Sequence, residues 1–341
     1  MFRVDAMDGL DEIITLDYGS GGMKTSRLIE ELIVPAMDNE MLSELGDGAV
    51  LDNQAEKLVF STDSFVVDPI FFPGGDIGKL SVCGTVNDVS MCGGVPKYLS
   101  CSLIIEEGLP EADLKRIISS MSETAEKAGV KIVTGDTKVV ERGRGDRIYI
   151  NTAGIGFLKY PGLSPKAMRA GDRVILSGTA GDHGTAVMLA RGGMLRGELQ
   201  SDCCPLNVLA QLVLERGGGK VRVLRDPTRG GIATTLNEFI EGSGLGIELD
   251  EALIPVRPEV SSACELLGLD PLYCANEGKL LAVAAPECAE AIVEAMRSLP
   301  EGRDACIIGE VTEQGKLVMK TRLGGKRILR KLAGAQLPRI C

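Results

Sequence analysis

The stretch PEADLKRIISSMSETAEKAGVKIVTG, residues 110–135, carries the clearest secondary-structure signal in the sequence. Pro110 suits the first position of a helix, and Gly129 suits the position after its end. Apolar side chains recur between them at helical spacing: Leu114, Ile117, Ile118, Met121, Ala125 and Ala128. This pattern predicts an amphipathic helix that packs on a sheet, with KIVTG at 131–135 as the strand that follows.

Strand and helix patterns alternate on both sides of this stretch. RIYINTAGIGF at 147–157 indicates another strand. Further helices are predicted near 205–216, 229–241, 258–268 and 286–298, with strands at KLLAVAA (279–285) and ACIIGEV (305–311). The alternation is typical of a protein that mixes α and β structure, and no repeat of fixed period interrupts it.

The length of the chain indicates two domains. Its 341 residues exceed the roughly 250 to 300 at which a single core usually stops growing. The pattern breaks into Pro, Gly and Ser at YPGLSPKAMRAGD, 160–172, which is the expected junction. We predict a first domain at 1–159, a second at 160–321 and a flexible basic tail at 322–341.

Composition limits the class of protein. Hydrophobic residues make up 44% and charged residues 25%, as in ordinary globular proteins. No apolar run reaches the ~18 to 20 residues of a membrane span, and the start is acidic where a secretory signal would be basic, so we predict a cytoplasmic protein without a membrane partner. Ten cysteines without C-x-x-C spacing and a single histidine, His183, do not predict a zinc or iron–sulfur site.

Charge is unevenly distributed along the chain. The net charge is −11, yet residues 316–341 hold eight Lys or Arg and no acid. The remaining acidic body is expected to repel nucleic acid. The basic tail could bind RNA or an acidic membrane, remain solvated, or fold back on the acidic body.

Five acidic or glycine-rich segments of the first half could carry chemistry: YGSGG (18–22), LGDGAV (45–50), FSTDSFVVDP (60–69), GTVNDVSMCGG (84–94) and GDTKVV (135–140). Carboxylates beside strands are costly to bury unless a cation joins them. Mg²⁺ held between aspartates and nucleotide phosphates would supply that cation. The alternative is that these residues are turns and helix caps. Neither a P-loop nor a dinucleotide-binding glycine motif is present.

Two segments of the second half, DPTRGG (226–231) and NEGKLL (276–281), place a charged residue at an element boundary. Glu277 could be a general base or a carboxylate that faces water. Arg229, at the start of a predicted helix, could bind an anion or lie on the surface. His183, in GDHG, could be an acid or base, although a lone histidine at a helix start is more often structural.

In their order along nearly the whole chain, these segments and the final LPRIC, 337–341, resemble the HypE family of carbamoyl dehydratases, which act in hydrogenase maturation. Tyr18 replaces the histidine usual in that family, and the second acid common beside Asp47 is missing. The wider superfamily includes aminoimidazole ribonucleotide synthetase and selenophosphate synthetase. The resemblance implies a two-domain α+β (PurM-like) fold and a homodimer through first-domain sheets that form a shared β-barrel. ATP would lie in the cleft between domains.

The resemblance also implies a reaction. The terminal Cys341 would receive a carbamoyl group from the carbamoyltransferase HypF. ATP-dependent dehydration would convert it to a thiocyanate, whose cyano group passes to the iron of a nickel-iron hydrogenase on the HypC–HypD scaffold. A tail suits this task because one thiol could reach several sites.

Residue roles carried over from the family complete the expectation. Asp47, Asp63, Asp88 and Asp136 would hold Mg²⁺ and the ATP phosphates, and Glu277 would be the base. Lys138 would steady the phosphate or the imidate intermediate. The remaining nucleotide-binding residues would be Gly21, Gly22, Asn87 and Arg229.

Two other functions remain open on the sequence. The chain could be a non-catalytic thiol or metal carrier, which would have no use for nucleotide. It could instead be a related ATP-dependent synthetase that acts on a free small molecule, for which Cys341 would be dispensable. Prenylation of Cys341 is not predicted, because no residues follow it.

Overall fold

A computed structural model describes residues 13–20, 23–43, 48–193, 199–332, 337 and 339–341. Gly21, Gly22 and Asp47, predicted above to bind nucleotide or metal, lie outside these residues.

Helices and strands alternate along the described chain. The helices are α1 (Met23–Leu28), α2 (Val34–Ala36), α3 (Glu40–Ser43), α4 (Ile77–Met91), α5 (Glu111–Ala128), α6 (Asp182–Arg191), α7 (Asn207–Gly217), α8 (Gly231–Ile240), α9 (Pro258–Leu267) and α10 (Pro286–Arg297), with a π-helical segment at Ile29–Ile33. The strands are β1 (Leu58–Phe65), β2 (Phe71–Phe72), β3 (Gly75–Asp76), β4 (Gly94–Glu106), β5 (Lys131–Val140), β6 (Ile148–Leu158), β7 (Arg173–Leu176), β8 (Val221–Arg225), β9 (Gly246–Asp250), β10 (Leu281–Ala284), β11 (Cys306–Thr312), β12 (Leu317–Lys320) and β13 (Lys326–Ile328). None of these helices is long and apolar enough to cross a membrane.

The first half forms a four-stranded sheet in the order β1-β6-β4-β5. β4 and β5 are parallel, and the other neighbours are antiparallel. The predicted amphipathic helix is α5: it starts after Pro110, ends at Gly129 with φ of 69°, and buries the apolar face that the sequence predicts. Helices α4 and α5 pack together, and α4 lies against β1, β4 and β6. One face of the sheet is thereby buried.

Helix α4 connects the two halves. The side chain of Asp76 caps its start by accepting hydrogen bonds from the backbone N–H groups of Gly78 and Lys79. Nearly every residue of α4 is buried, because it contacts the first sheet on one side and α7 and β8 of the second half on the other. A helix buried all round shows no amphipathic period.

The second half forms a seven-stranded sheet in the order β13-β12-β9-β11-β7-β10-β8. Its neighbours are antiparallel except for β9 and β12. Separate apolar clusters, one with α8 and one with α7 and α10, fill its two sides. Neither this sheet nor the first closes into a barrel among the described residues.

The basic tail folds back on the acidic body, which confirms one of the alternatives that the charge pattern left open. Strand β13 pairs with β12, and Leu329 is buried. Five basic side chains of residues 316–341 form ion pairs, namely Lys320–Asp250, Lys326–Glu248, Arg327–Asp270, Lys331–Glu241 and Arg339–Asp146. Exposed pairs of this kind contribute only about 0–1 kcal/mol each, so strand pairing and burial of Leu329 hold the segment in place. The tail therefore has more structure than the sequence predicted.

Candidate active site

The last three residues, Arg339–Cys341, form a tail tip that lies in the body of the protein. The backbone N–H groups of Val66 and Asp68 donate to the main-chain oxygens of Cys341 and Arg339, both over 3.2 Å. The Arg339 guanidinium donates to the Val66 carbonyl oxygen over 3.0 Å and pairs with Asp146. The side chain of Ile340 is buried in the core of the first half. The tip is therefore seated along the segment that follows β1.

The thiol of Cys341 lies among charged groups from both halves. Burial raises its pKa far above the usual range for a thiol, and the carboxyl groups of Glu277, Asp63 and Asp226 raise that pKa further. The positive charge of Arg229 acts in the opposite direction. Because these groups come from β1 and from loops of the second half, the sulfur lies where the two halves meet. As seated here, Cys341 is a protonated thiol.

Glu277 is held by its backbone in the loop before β10. Its N–H donates to Asp202 Oδ1 over 3.0 Å, and its carbonyl oxygen accepts from Asn87 Nδ2 over 3.4 Å. The next residue must be glycine, since a Cβ on Gly278 would come within 1.7 Å of the Asp202 carbonyl oxygen. These contacts fix the position of the backbone that carries the Glu277 side chain.

The Glu277 carboxyl group is buried, and its Oε1 has no hydrogen-bond partner among the described residues. Burial raises its pKa well above the usual range, and the neighbouring Cys203, Asp226, Asp202 and Asp63 raise it further. A carboxylate in such an environment is a stronger base than one in water. The predicted alternative, a carboxylate that faces water, is wrong.

Asp63 and Asp88 face each other across β1 and α4. Ser61 Oγ donates to Asp88 Oδ2 over 2.8 Å, and the Asp63 carboxyl accepts from the Ser64 N–H over 2.8 Å. Burial raises the pKa of both carboxyl groups, and each is also affected by Arg229, whose charge lowers it. The charge of Asp63 raises the pKa of Asp88 as well. The structure thus brings these two residues and Arg229 near one another, and their roles in a site stay a prediction.

Asp226 belongs to this cluster, although the sequence reasoning took only Arg229 from its motif. It is buried just after β8, and burial together with Asp88 raises its pKa to about 7. The available signal was its position at the end of a strand, directly before Pro227. Asp202, which holds the Glu277 backbone and pairs with Lys279 over 3.1 Å, was also missed. No local sequence motif marks it.

Asp136 and Lys138 lie elsewhere on the first sheet. They form an exposed ion pair of 2.7 Å, and Lys138 lowers the pKa of Asp136. Both line a cavity of about 290 Å³ together with Gly19, Thr25 and Gly48. In the strand register Asp136 shares a row with Ser102, Asn151 and Ser64, whereas Asp63 is one row away and faces α4. A row of four strands spans about 14 Å, so Asp136 and Lys138 on β5 lie at the opposite edge of the sheet from Asp63 on β1.

The described site residues meet some of the requirements for binding Mg²⁺ together with a nucleotide. No group of three or more His, Cys, Asp or Glu among the described residues is arranged to hold a metal ion. Mg²⁺, however, commonly takes only one or two carboxylates and completes its shell with phosphate and water. Asp63 and Asp88, two half-buried carboxyl groups of which the first raises the pKa of the second, meet that requirement.

Comparison with known families defines the class of protein. Residues 45–158 match the AIR synthase related protein N-terminal domain, and residues 169–322 match its C-terminal domain. The first sheet lies within the first match and the second sheet, apart from β13, within the second, and the α+β fold is that of the AIR synthase related proteins.

Close relatives narrow the class further. The carbamoyl dehydratase HypE of Cupriavidus necator is 53% identical over 333 residues, which cover 96% of this chain and 95% of that relative. A crystal structure of hydrogenase maturation protein HypE in complex with ATP superposes with a TM-score of 0.91 at 50% identity, covering 96% of this chain and 99% of that one. A HypE chain from a HypE–HypF complex superposes with a TM-score of 0.79 at 49% identity, covering 89% and 99%. The chain belongs to the carbamoyl dehydratase HypE family.

Proposed function

We propose that this chain catalyses the ATP-dependent dehydration of its own S-carbamoylated Cys341 to a thiocyanate, which supplies the cyanide ligand for the iron of a nickel-iron hydrogenase. One observation supports this most directly: the Cys341 thiol lies near enough to the buried carboxyl of Glu277 for that carboxyl to raise the thiol pKa. The two residues are separated by 64 positions in the sequence, and the fold brings the tail and the loop close enough for their side chains to interact electrostatically.

The chain's own groups suit each stage of this reaction. A carbamoyl group on sulfur carries one carbonyl oxygen and two N–H protons. Its oxygen attacks the γ-phosphorus of ATP, ADP leaves, and the nitrogen loses one proton. Glu277 then removes the second proton while the C–O bond to phosphate breaks, so that the nitrile forms with loss of inorganic phosphate. Arg229 lies where it can stabilise negative charge on the transferred phosphoryl group.

Two different parts of the first half would bind the metal and the nucleotide. Asp63 and Asp88 would hold Mg²⁺, which neutralises phosphate charge when bound. Asp136 and Lys138, with Gly21, Gly22 and Asp47 from outside the described residues, would contact the nucleotide at the cavity beside β5. Asn87 would act indirectly, through the Glu277 backbone that it holds.

We further propose that the chain is a homodimer. The face of the first sheet away from α4 and α5 exposes apolar side chains at Leu58 (52% exposed), Phe60 (68%) and Ile104 (45%). Leu58 is paired with Phe157 and Phe60 with Ile155 in the strand register, so these apolar residues form two adjacent rows, whereas Ile104, paired with Tyr149, lies farther along the same face. A second copy packed on this face would cover them and could complete the shared barrel. Asp136 and Lys138 would then lie beside the interface.

The proposed partners follow from the reaction. HypF would load the carbamoyl group, and a HypC–HypD complex would accept the cyano group. The solved HypE–HypF complex of a relative supports the first of these. Both exchanges require Arg339–Cys341 to leave the body, and we propose that the tail at 322–341 moves between the partners and its own site. The chain would act in the cytoplasm as two domains, 1–159 and 160–321.

The decisive experiment follows the mass of the C-terminal peptide. The protein is carbamoylated with cyanate in the absence of nucleotide, freed of reagent, and given MgATP. We expect the peptide that contains Cys341 to lose one water, with one ADP and one phosphate released per carbamoyl group. A Cys341→Ala protein should release neither.

The same measurement separates the alternatives. A non-catalytic carrier would keep its carbamoyl group unchanged in the presence of MgATP. A synthetase for a free small molecule would not depend on Cys341 at all. Either result would refute the proposed reaction.

A further inference from the structure

Helix α6 runs along the tail and contacts it at several points. Near its start, His183 Nε2 lies 2.9 Å from the Ile340 carbonyl oxygen. A Cβ on Gly184 would come within 3.1 Å of the Leu337 side chain, so the helix surface there is shaped to the tail. At its other end, Arg191 Nη2 donates to the Arg339 carbonyl oxygen over 2.7 Å. Side chains of this helix therefore bind the main-chain oxygens of the tail tip.

The hydrogen bonds of His183 define its tautomer. A carbonyl oxygen can only accept, so Nε2 carries the proton that is donated to Ile340. Nδ1, 2.8 Å from Ser201 Oγ, then accepts from that hydroxyl group. Burial lowers the pKa of His183, which favours this neutral form. The ring is completely buried, and Phe72 packs edge-on against it at 5.4 Å between centroids.

The second partner of His183 leads to Glu277. Ser201 Oγ also accepts from the Cys203 N–H over 3.0 Å. Asp202, between these two residues, accepts the hydrogen bond from the Glu277 N–H. One short segment, 201–203, thus binds His183 on one side and the loop of the proposed base on the other. The His183 ring therefore lies between the tail and the segment 201–203, which holds the Glu277 backbone.

We propose that His183 is a positioning residue, which fixes the Ile340 carbonyl so that the sulfur of the next residue is seated beside Glu277. This inference deepens the proposed function and rests on it for its catalytic consequence, while the seating itself can be tested without catalysis. His183 is not a catalytic residue in this account, because both of its ring nitrogens are engaged by the protein.

Two near-isosteric substitutions separate the two hydrogen bonds of the ring. In His183→Gln the amide nitrogen occupies the position of Nε2 and can donate to Ile340. In His183→Asn the amide oxygen occupies the position of Nδ1 and can accept from Ser201, but the reach to Ile340 is lost. The first variant should keep the tip seated, and the second should release it. Comparable thermal unfolding of both variants would show that they are folded.

The first readout is alkylation of unmodified Cys341 by iodoacetamide, followed by peptide mass spectrometry. Removing a buried hydrogen bond should increase the unseated population, so we expect alkylation about 5- to 100-fold faster in His183→Asn. His183→Gln should stay within about threefold of wild type by the same reasoning. As a matched control, Asn237→Ala removes a side-chain hydrogen bond of 3.2 Å to the Leu329 carbonyl, farther back on the tail, and should leave the rate unchanged.

The second readout is single-turnover dehydration of the carbamoylated tail. In His183→Asn the rate should fall in proportion to the loss of the seated population, while the KM for ATP is unchanged, and His183→Gln should restore the rate. Equal alkylation rates in wild type and His183→Asn would overturn the inference even if dehydration is confirmed. If no variant dehydrates the tail but alkylation still follows the predicted order, the proposed function fails and the seating role of His183 stands.

Discussion

The side chain of Asn87 joins the two halves of the chain at Glu277: its Nδ2 donates to the Glu277 carbonyl oxygen over 3.4 Å. The same nitrogen lies 3.3 Å from the Cys204 carbonyl oxygen, and Oδ1 accepts from the Leu206 N–H over 2.7 Å. Asn87 is fully buried on α4. The position of the proposed base is therefore set by a helix of the first half, although Glu277 itself belongs to the second.

Replacing Glu277 with Gln should stop the reaction after phosphoryl transfer, because the amide has nearly the same shape and cannot accept the last N–H proton. We expect the rate of nitrile formation to fall about 10²- to 10⁴-fold. Quenched single-turnover assays should still detect ADP. Nitrile formation at the wild-type rate would exclude Glu277 as the base.

The wild-type rate should also rise with pH through the raised pKa of Glu277, since only the ionised carboxylate is a base. In Glu277→Gln the residual rate should not show this increase. A profile measured under single-turnover conditions checks both statements, and a wild-type rate that falls as pH rises would contradict them.

Replacing Lys138 with Gln should slow dehydration of the loaded tail about 10- to 100-fold, because one positive charge is removed from the phosphate or imidate. Lys159→Gln is the matched control: Lys159 is also an exposed lysine on the first half, and it pairs with Glu215 over 3.0 Å. It should show the wild-type rate. Equal rates for the two variants would remove Lys138 from the site.

Replacing Phe60 with Arg should convert the dimer to a monomer, because a charge would be placed in the middle of the exposed apolar rows of the first sheet. Sedimentation velocity measures the result. Leu266→Arg is the control, since Leu266 on α9 is 76% exposed and lies away from that sheet. A wild-type protein that sediments as a monomer, or a Phe60→Arg protein that remains a dimer, would refute the proposed interface.

Asp182 provides a prediction on stability. Burial raises its pKa to about 6, with Asp202 adding to the effect and Lys279 and Arg257 opposing it. Because the folded state binds this proton more tightly than the unfolded state, its stabilising contribution is present at low pH and is lost as pH rises through about 6.

Asp182→Asn has no proton to lose at this site. Between about pH 4 and pH 8, the free energy of unfolding of the wild type should fall relative to Asp182→Asn by about 2 kcal/mol. Urea denaturation of the nucleotide-free proteins at both pH values measures this difference. A constant difference across the range would contradict the prediction.

Local patterns in the sequence account for much of the fold. The period of α5, the strands β5 and β6, and the helices from α7 to α10 all follow from apolar spacing and from end signals such as Gly129. Glu277 and Arg229 could be selected as site residues because their motifs lie at element boundaries, and Asp63 and Asp88 because their acidic segments resemble those of the HypE family. Their convergence could not be derived from spacing, because it depends on how α4 packs between the halves.

The contacts of the tail could not be predicted from local sequence. His183 and Ile340 are separated by 157 positions, and the hydrogen bond is made to a main-chain oxygen that every residue type possesses. A lone histidine therefore carries no signal of this role. Asp202 was missed for the same reason: its carboxyl group binds a backbone N–H and Lys279 across a distance of 75 or more positions.

The seated sulfur has a consequence for the timing of the whole cycle. With Cys341 turned inward and half-buried, its sulfur would be out of reach of partner proteins, so loading and delivery would exclude dehydration and the three steps would take place in turn. Each time the last three residues leave the body, they would then load one carbamoyl group or deliver one cyano group. The turnover rate would be limited by how often this short segment leaves the body, even when ATP is abundant.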